Sequence, residues 1–119
     1  MVWKKHNFGL GWAFRHQYEL ILVLEKGKPK YNFKNFSDVQ TCSHINHNKD
    51  NHPHEKPIDL LKKMIEHSSA EGDVVLDPFC GSGSTCKACG ELGRKWIGIE
   101  LDDRWIDTQL NNTGGKNDK

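Results

Sequence analysis

The chain has 119 residues, a formal net charge of +1, 35% hydrophobic residues and 28% charged residues. That length suits a single domain with a modest core. No apolar run approaches the ~18 residues of a membrane span, and the opening MVWKKHNFGL carries no signal-peptide core, so the expectation is a cytoplasmic protein with no membrane role. Charge is unevenly spread: residues 1–36 hold seven Lys/Arg against two acids, and the remainder is net acidic. A basic first third suits an anionic partner such as DNA, and it equally suits a solvated face.

The first segment, 1–27, begins with VWKK, a strand stub. HNFGLGWAFRHQ follows as a loop containing glycines and aromatics. YELILVLE, residues 18–25, has five consecutive apolar residues between two acids, with Gly27 and Pro29 beyond it, and reads as a strand. Residues 28–51 are rich in Lys, Asn, His, Asp and Ser and read as a polar linker or part of a target-recognition loop. Within this stretch KPKYNFKNF interleaves basic or polar residues with Tyr31, Phe33 and Phe36, a pattern that suits base stacking or an edge strand. Cys42, His44, His47, His52 and His54 crowd together here. Cys-x-His-x-x-His is not a standard zinc spacing, so a small zinc site on Cys42, His44 and His47 is the alternative to a His-rich polar loop.

The third segment, 52–110, alternates helix and strand. Pro57 suits the first position of a helix, on which Ile58, Leu61, Met64 and Ile65 share one face until Ser68–Gly72 ends it. Asp73–Asp77 reads as a buried strand, Ser84–Leu92 as a helix with Gly93 as its C-terminal cap, Lys95–Glu100 as a strand and Asp103–Leu110 as a short helix. Residues 111–119 form a flexible tail. This order predicts an α/β fold with a parallel sheet. Cys80, Cys86 and Cys89 sit on or beside the glycine loop and are expected as reduced thiols. Cys86-Lys-Ala-Cys89 could be a redox pair, but its place inside a helix beside Ala88 favours small residues for close packing.

The stretch VVLDPFCGSGSTCKACGELGRKWIGIE, residues 74–100, carries the chemistry. Asp77-Pro78-Phe79-Cys80-Gly81-Ser82-Gly83 lies at the C-terminal end of a strand and leads into a helix, where open α/β sheets bind ligands. Gly81 and Gly83 permit a sharp turn and a close approach, and the helix N-terminus favours an anionic group. Glu100 follows Gly81 by 19 residues, and an acid about 20 residues on is placed to accept two ribose hydroxyls. The ligand should therefore contain a ribose and a negative charge. The third glycine of a dinucleotide fingerprint is missing, and there is no Gly-Lys-Ser/Thr for a triphosphate.

Asp-Pro-Phe-x-Gly-x-Gly followed at this distance by Gly-Ile-Glu closely resembles the S-adenosylmethionine motif of DNA amino-methyltransferases, which make N6-methyladenine or N4-methylcytosine. His52-Pro53-His54-Glu55-Lys56-Pro57 with IDLLKKMIEHSS resembles the His-Pro-x-x-Lys-Pro element of the class whose cofactor motif comes late in the chain, with His54 where a small hydroxyl residue is more usual. VWKKHNFGLGWAFRHQYELILVLEKG resembles the segment that follows the catalytic loop of that class. The resemblance implies a Rossmann-like fold and S-adenosylmethionine as cofactor. Asp77, Phe79, Cys80, Gly81 and Gly83 would line its methionine side, Glu100 would hold its ribose, and His52 and Lys56 would belong to an element closing over its carboxylate. Arg94 and Trp96 would be structural.

The family's catalytic tetrapeptide, Asp/Asn/Ser-Pro-Pro-aromatic, is not found: Pro29, Pro53, Pro57 and Pro78 are the only prolines and none are adjacent. The expectation is thus an incomplete methyltransferase fold without the catalytic strand and loop, inactive alone, with apolar sheet edges left for a second copy or a partner chain. No catalytic or metal-binding residue is assigned. A non-catalytic DNA- or partner-binding module is the alternative.

Overall fold

The computed structural model describes residues 1–42 and 55–105. The element order is β1 (Val2–Lys5), β2 (Tyr18–Leu20), β3 (Val39–Cys42), α1 (Ile58–Ser68), β4 (Val74–Asp77), α2 (Ser84–Glu91) and β5 (Lys95–Gly98). The strands make two sheets. One has the order β2-β1-β3, with β2 antiparallel and β3 parallel to β1; the other is the parallel pair β4-β5. The parallel α/β unit expected over 73–100 is present.

Helix α1 joins the two sheets. Leu60 packs with Trp3 and Cys42 in one core cluster, with Met64 against it. Ile65 packs with Ala88 and Cys89 in the other, with Ile58, Leu61, Val75 and Trp96 around it. Sequence periodicity marked a single apolar face from Ile58 to Ile65. The helix in fact carries two, because it lies between the first sheet and α2, and Leu60 is the residue that this periodicity overlooked.

Helix α2 ends in a Schellman motif. Gly93 takes φ +70°, Arg94 N donates to Cys89 O at 2.9 Å and Gly93 N donates to Gly90 O at 3.3 Å. Arg94 then turns its guanidinium onto Ser69 Oγ at 3.2 Å and Ser69 O at 2.8 Å, tying the end of α1 to the start of β5. Cys86, Ala88 and Cys89 are fully buried, so the small side chains of α2 serve close packing.

Three elements depart from their sequence reading. The 18–25 strand stops at Leu20. Its ladder pairs Tyr18–Leu20 with Val2–Lys4, Met1 and Ile21 exchange a further pair of bonds, and among the described residues 22–25 pair with no strand. Residues 28–51 are not simply a linker, because β3 lies within them and pairs with all of β1. In that segment Tyr31, Phe33 and Phe36 stack on His67 of α1 at centroid distances of 4.8, 5.7 and 4.1 Å. Asn32 Nδ2 donates to the Glu66 and Ser69 carbonyls, capping the end of α1. The aromatics are thus engaged with the helix, neither as an edge strand nor as a free stacking surface. Third, β4 is not a buried strand: Val75 faces the helices, whereas Val74 and Leu76 are 58% and 59% exposed. Among the described residues only β5 pairs with it. Of the predicted 103–110 helix, residues 103–105 are helical; 106–110, the tail, and the histidines at 44, 47, 52 and 54 lie outside the described residues.

Candidate cofactor site

The C-terminal end of β4, the loop 78–83 and the first turn of α2 enclose a cleft of about 240 Å³ with the segment entering α1. Its lining includes Glu55, Lys56, Asp77, Phe79, Cys80 and Gly81. The loop closes on itself through Gly83 N to Cys80 O at 2.8 Å, and Asp77 Oδ1 accepts from Phe79 N at 3.1 Å. Gly81 and Gly83 adopt φ +50° and +81°, left-handed conformations that a side chain would strain. Gly83 is the N-cap of α2, with no side chain capping it and no acid in the first turn of the helix itself. Phe79 is 88% exposed at the rim, a ring available to pack on a ligand.

Glu100 crosses from the end of β5 to the loop. Its Oε2 accepts from Gly81 N at 2.8 Å, and its Oε1 accepts from Leu101 N at 2.9 Å and Asp102 N at 3.0 Å. The N–H of Asp102 and then that of Gly81 hold this carboxyl below the usual carboxylate range, so it is ionised at neutral pH. A carboxylate offers about four lone-pair positions, of which these bonds take three. A ribose diol, needing two, fits if it takes the remaining position on Oε2 and displaces the Gly81 N–H.

Four of the expected residues (Asp77, Phe79, Cys80, Gly81) thus line the cleft, Gly83 caps α2 beside it, and Glu100 is tied to it through Gly81. Lys56 lines the cleft, but its Nζ lies 2.8 Å from Glu19 Oε2 and 5.5 Å from the Trp3 ring centroid, so its ammonium is directed toward the first sheet. Burial pushes the Glu19 carboxyl up, yet bonds from Lys5 and Lys56 outweigh this and hold it low. His52 lies outside the described residues. Cys42 is buried beside Trp3 and Leu60, and its carbonyl accepts from Trp3 Nε1.

Sequence reading missed three contributors. Glu55, in the His-Pro-x-x-Lys-Pro element, reaches Ser84 Oγ at 3.4 Å across the cleft. Ser84 itself is buried at the start of α2. Gly98, the glycine of Gly-Ile-Glu, lies under the loop: a Cβ there would sit 2.8 Å from Cys80 Sγ and 3.0 Å from Cys86 Sγ.

The thiols of Cys80, Cys86 and Cys89 are buried at the loop and the start of α2, and burial raises those of Cys86 and Cys89. Burial, then Cys80 and Asp77, push the Cys86 thiol up to about 12. Its raised value adds stability below the ordinary thiol value of 9.0, and that contribution is lost as pH rises from there toward 12. At pH 8 iodoacetamide is expected to alkylate Cys86 at least about 100-fold more slowly in the folded chain than in urea, because the thiolate is the nucleophile. Equal rates in peptide-mapped mass spectrometry would contradict a thiol sealed beneath the loop.

The chain matches the family model described as DNA methylase, of the N6/N4 methyltransferase type, over residues 1–111. The chain belongs to this family. It is 43% identical over 82 residues to the type II methyltransferase M.HpaI of Haemophilus parainfluenzae, covering 69% of this chain and 25% of that protein. It is 30% identical over 105 residues to the type II methyltransferase M.HhaII of Haemophilus parahaemolyticus, covering 85% and 45%. The M1.HpyAVI–SAM complex superposes with a TM-score of 0.76 at 30% identity, covering 94% of this chain and 59% of that one. The PvuII cytosine-N4-specific DNA methyltransferase shares the fold, with a TM-score of 0.58 at 21% identity, over 70% of this chain and 33% of its own. The fold is therefore the Rossmann-like α/β fold of DNA methyltransferases, and the chain spans between a quarter and three fifths of these family members. Among the described residues no helix is long and apolar enough to cross a membrane.

Proposed function

We propose that this chain is the S-adenosylmethionine-binding portion of a site-specific DNA methyltransferase acting on adenine N6 or cytosine N4, working on DNA in the cytoplasm, within a restriction–modification system. The observation that carries this reading is the Glu100 carboxylate accepting from the N–H of Gly81, a residue that lines the glycine-loop cleft. In it Glu100 accepts from the ribose hydroxyls. The uncapped first turn of α2, with Gly81 and Gly83 giving close approach, faces the methionine carboxylate. Asp77 faces the ammonium, and Phe79 covers the rim. Cys80 packs the loop from below, and His52 and Lys56 belong to the segment closing over the ligand. The cofactor, when bound, supplies an electrophilic methyl group; what this chain supplies is its binding and orientation.

The sequence contains no Asp/Asn/Ser-Pro-Pro-aromatic tetrapeptide, the group that would engage the target amine. The reading therefore includes a complementary strand and loop from another polypeptide segment or a partner chain of different sequence. The half-exposed Val74 and Leu76 on β4 and the separation of the two sheets support a strand added at that edge. Calorimetric titration of the 119-residue chain with S-adenosylmethionine tests the reading. Saturable one-to-one binding, with no methyl transfer to DNA by the chain alone, is expected. Absence of binding would remove the cofactor assignment, and transfer of a labelled methyl group by the chain alone would remove the need for a complementary segment.

A further inference from the structure

The loop between β1 and β2 is a built element. At its root Lys5 N donates to Gln17 O at 2.8 Å and Gln17 Nε2 donates to His6 O at 3.1 Å. Further out Gly9 N donates to His16 O at 2.7 Å and Arg15 Nε donates to Gly9 O at 2.8 Å. The limbs approach so closely that a Cβ on Gly9 or Gly11 would lie 3.0 Å from a backbone oxygen across the loop, that of His16 or Phe14. The tip held out by this frame is apolar: Leu10, Trp12 and Phe14 are 96%, 98% and 91% exposed. Large apolar side chains exposed together on one hydrogen-bonded loop mark a binding element rather than a core.

Charge names the partner. The first 18 residues contain no Asp or Glu, whereas Lys4, Lys5 and Arg15 lie within them, and the Arg15 guanidinium sits 5.8 Å from the Phe8 ring centroid. Aromatic faces interleaved with cations are the surface that single-stranded or unstacked nucleic acid takes, stacking for the bases and ammonium or guanidinium for the phosphates. Position agrees. Glu19, just past the loop, binds both Lys5 and Lys56, and Lys56 lines the glycine-loop cleft, so the loop is rooted beside the proposed cofactor site.

We propose that the 9–16 loop is a base-stacking element that enters DNA opened beside the cleft, with Trp12 and Phe14 packing on unstacked bases and Lys4 and Arg15 meeting the adjoining phosphates. The reason for opened DNA rests on the methyltransferase reading above, since chemistry on a base requires its removal from the stack. The loop fills part of the space that such an opening creates.

Fluorescence anisotropy of the 119-residue chain tests this with three labelled DNAs: a single strand of about 16 nucleotides, its intact duplex, and the duplex with one abasic site, each at about 50 and about 200 mM salt. The variant Trp12→Ala/Phe14→Ala is expected to lose about tenfold or more in affinity for the single strand and the abasic duplex, with little change for the intact duplex and an unchanged salt slope. Lys4→Ala is expected to weaken all three alike and flatten the slope. Both tip residues are exposed, so folding is retained, as circular dichroism would show. Equal losses on all three DNAs, or none, overturn the proposal. So does a switch from dimer to monomer in the double variant without an effect on DNA, which would assign the tip to a second copy. A chain that binds S-adenosylmethionine but no DNA overturns the stacking role and leaves the cofactor reading intact; one that binds DNA through the loop but no cofactor does the reverse.

Discussion

Replacement of Glu100 by alanine is expected to lower the affinity for S-adenosylmethionine about tenfold, because two charge-assisted hydrogen bonds to ribose hydroxyls are lost and one of them had displaced the Gly81 N–H, a net loss of one bond worth roughly tenfold. The same change releases Gly81 N–H and the backbone N–H groups of Leu101 and Asp102, so the glycine loop loses one of its ties to the end of β5 and keeps the bond from Cys80 N to Ile99 O at 3.0 Å. Comparison of two ligands separates the effects. S-adenosylhomocysteine keeps the ribose and should suffer the same loss, whereas a fragment lacking the ribose should suffer only what loop loosening imposes. Calorimetry on wild type and variant, with both ligands, decides it. An affinity within about threefold of wild type would mean that Glu100 serves the loop alone.

The pH dependence carries the same signature. The Glu100 carboxyl is depressed in the folded chain, so its contribution is complete above the ordinary carboxyl value of 4.5 and disappears as pH falls through its lower folded value. Cofactor affinity should therefore stay flat from pH 7 down to below 4.5 as far as this group is concerned, and fall only as pH drops through the lower value the carboxyl has in the folded chain.

Gly98→Val is the second large effect expected, and it involves no ligand contact. Any Cβ at this position meets Cys80 Sγ and Cys86 Sγ at 2.8 and 3.0 Å, and both thiols are buried. Overpacking of this kind costs about 1–3 kcal/mol, which lowers the melting temperature of a domain near this size by at least about 5 °C. Relief by displacement of Cys80 moves the loop residue beside Gly81, so cofactor affinity should fall along with stability. Removing an obstructing sulfur should give part of both back: Gly98→Ala/Cys80→Ala is expected to melt higher than Gly98→Ala alone. A Gly98→Ala chain that melts and binds as wild type would show that the β5–loop contact is looser than its geometry.

The two predictions mark which parts of the protein are written locally. The loop Asp77–Gly83 is legible in the residues because each requirement there is local: an apolar run for β4, glycines for left-handed turns at 81 and 83, and a small-residue helix after them. Glu100 is legible because the β-strand and helix between it and the loop fix its distance along the chain. The same holds for Gly93, whose positive φ ends α2. Family membership followed from these short-range patterns, since Asp-Pro-Phe-x-Gly-x-Gly with Gly-Ile-Glu depends on spacing alone.

What depended on distant partners could not be read that way. The apolar run 18–25 has strand composition throughout, yet only Tyr18–Leu20 form a strand, because strand formation depends on pairing with Val2–Lys4 of β1 and not on composition. β3 sits in a stretch with little apolar periodicity; it is a strand because its backbone pairs with β1 and its side chains at 40 and 42 are buried. Tyr31, Phe33 and Phe36 carry the composition of a nucleic-acid surface, but His67 of α1 gathers them into a stack. Lys56 carries the charge for a carboxylate ligand, while Glu19, 37 residues earlier, takes its ammonium. The sequence by itself determined the glycine loop and the acid that bonds to it, because their geometry is set by torsion angles and short spacings. The tertiary structure alone decided which strands pair, which cations are engaged and which aromatics stand in solvent, because hydrogen-bond ladders, ion pairs and burial are properties of residues brought together from far apart in the chain.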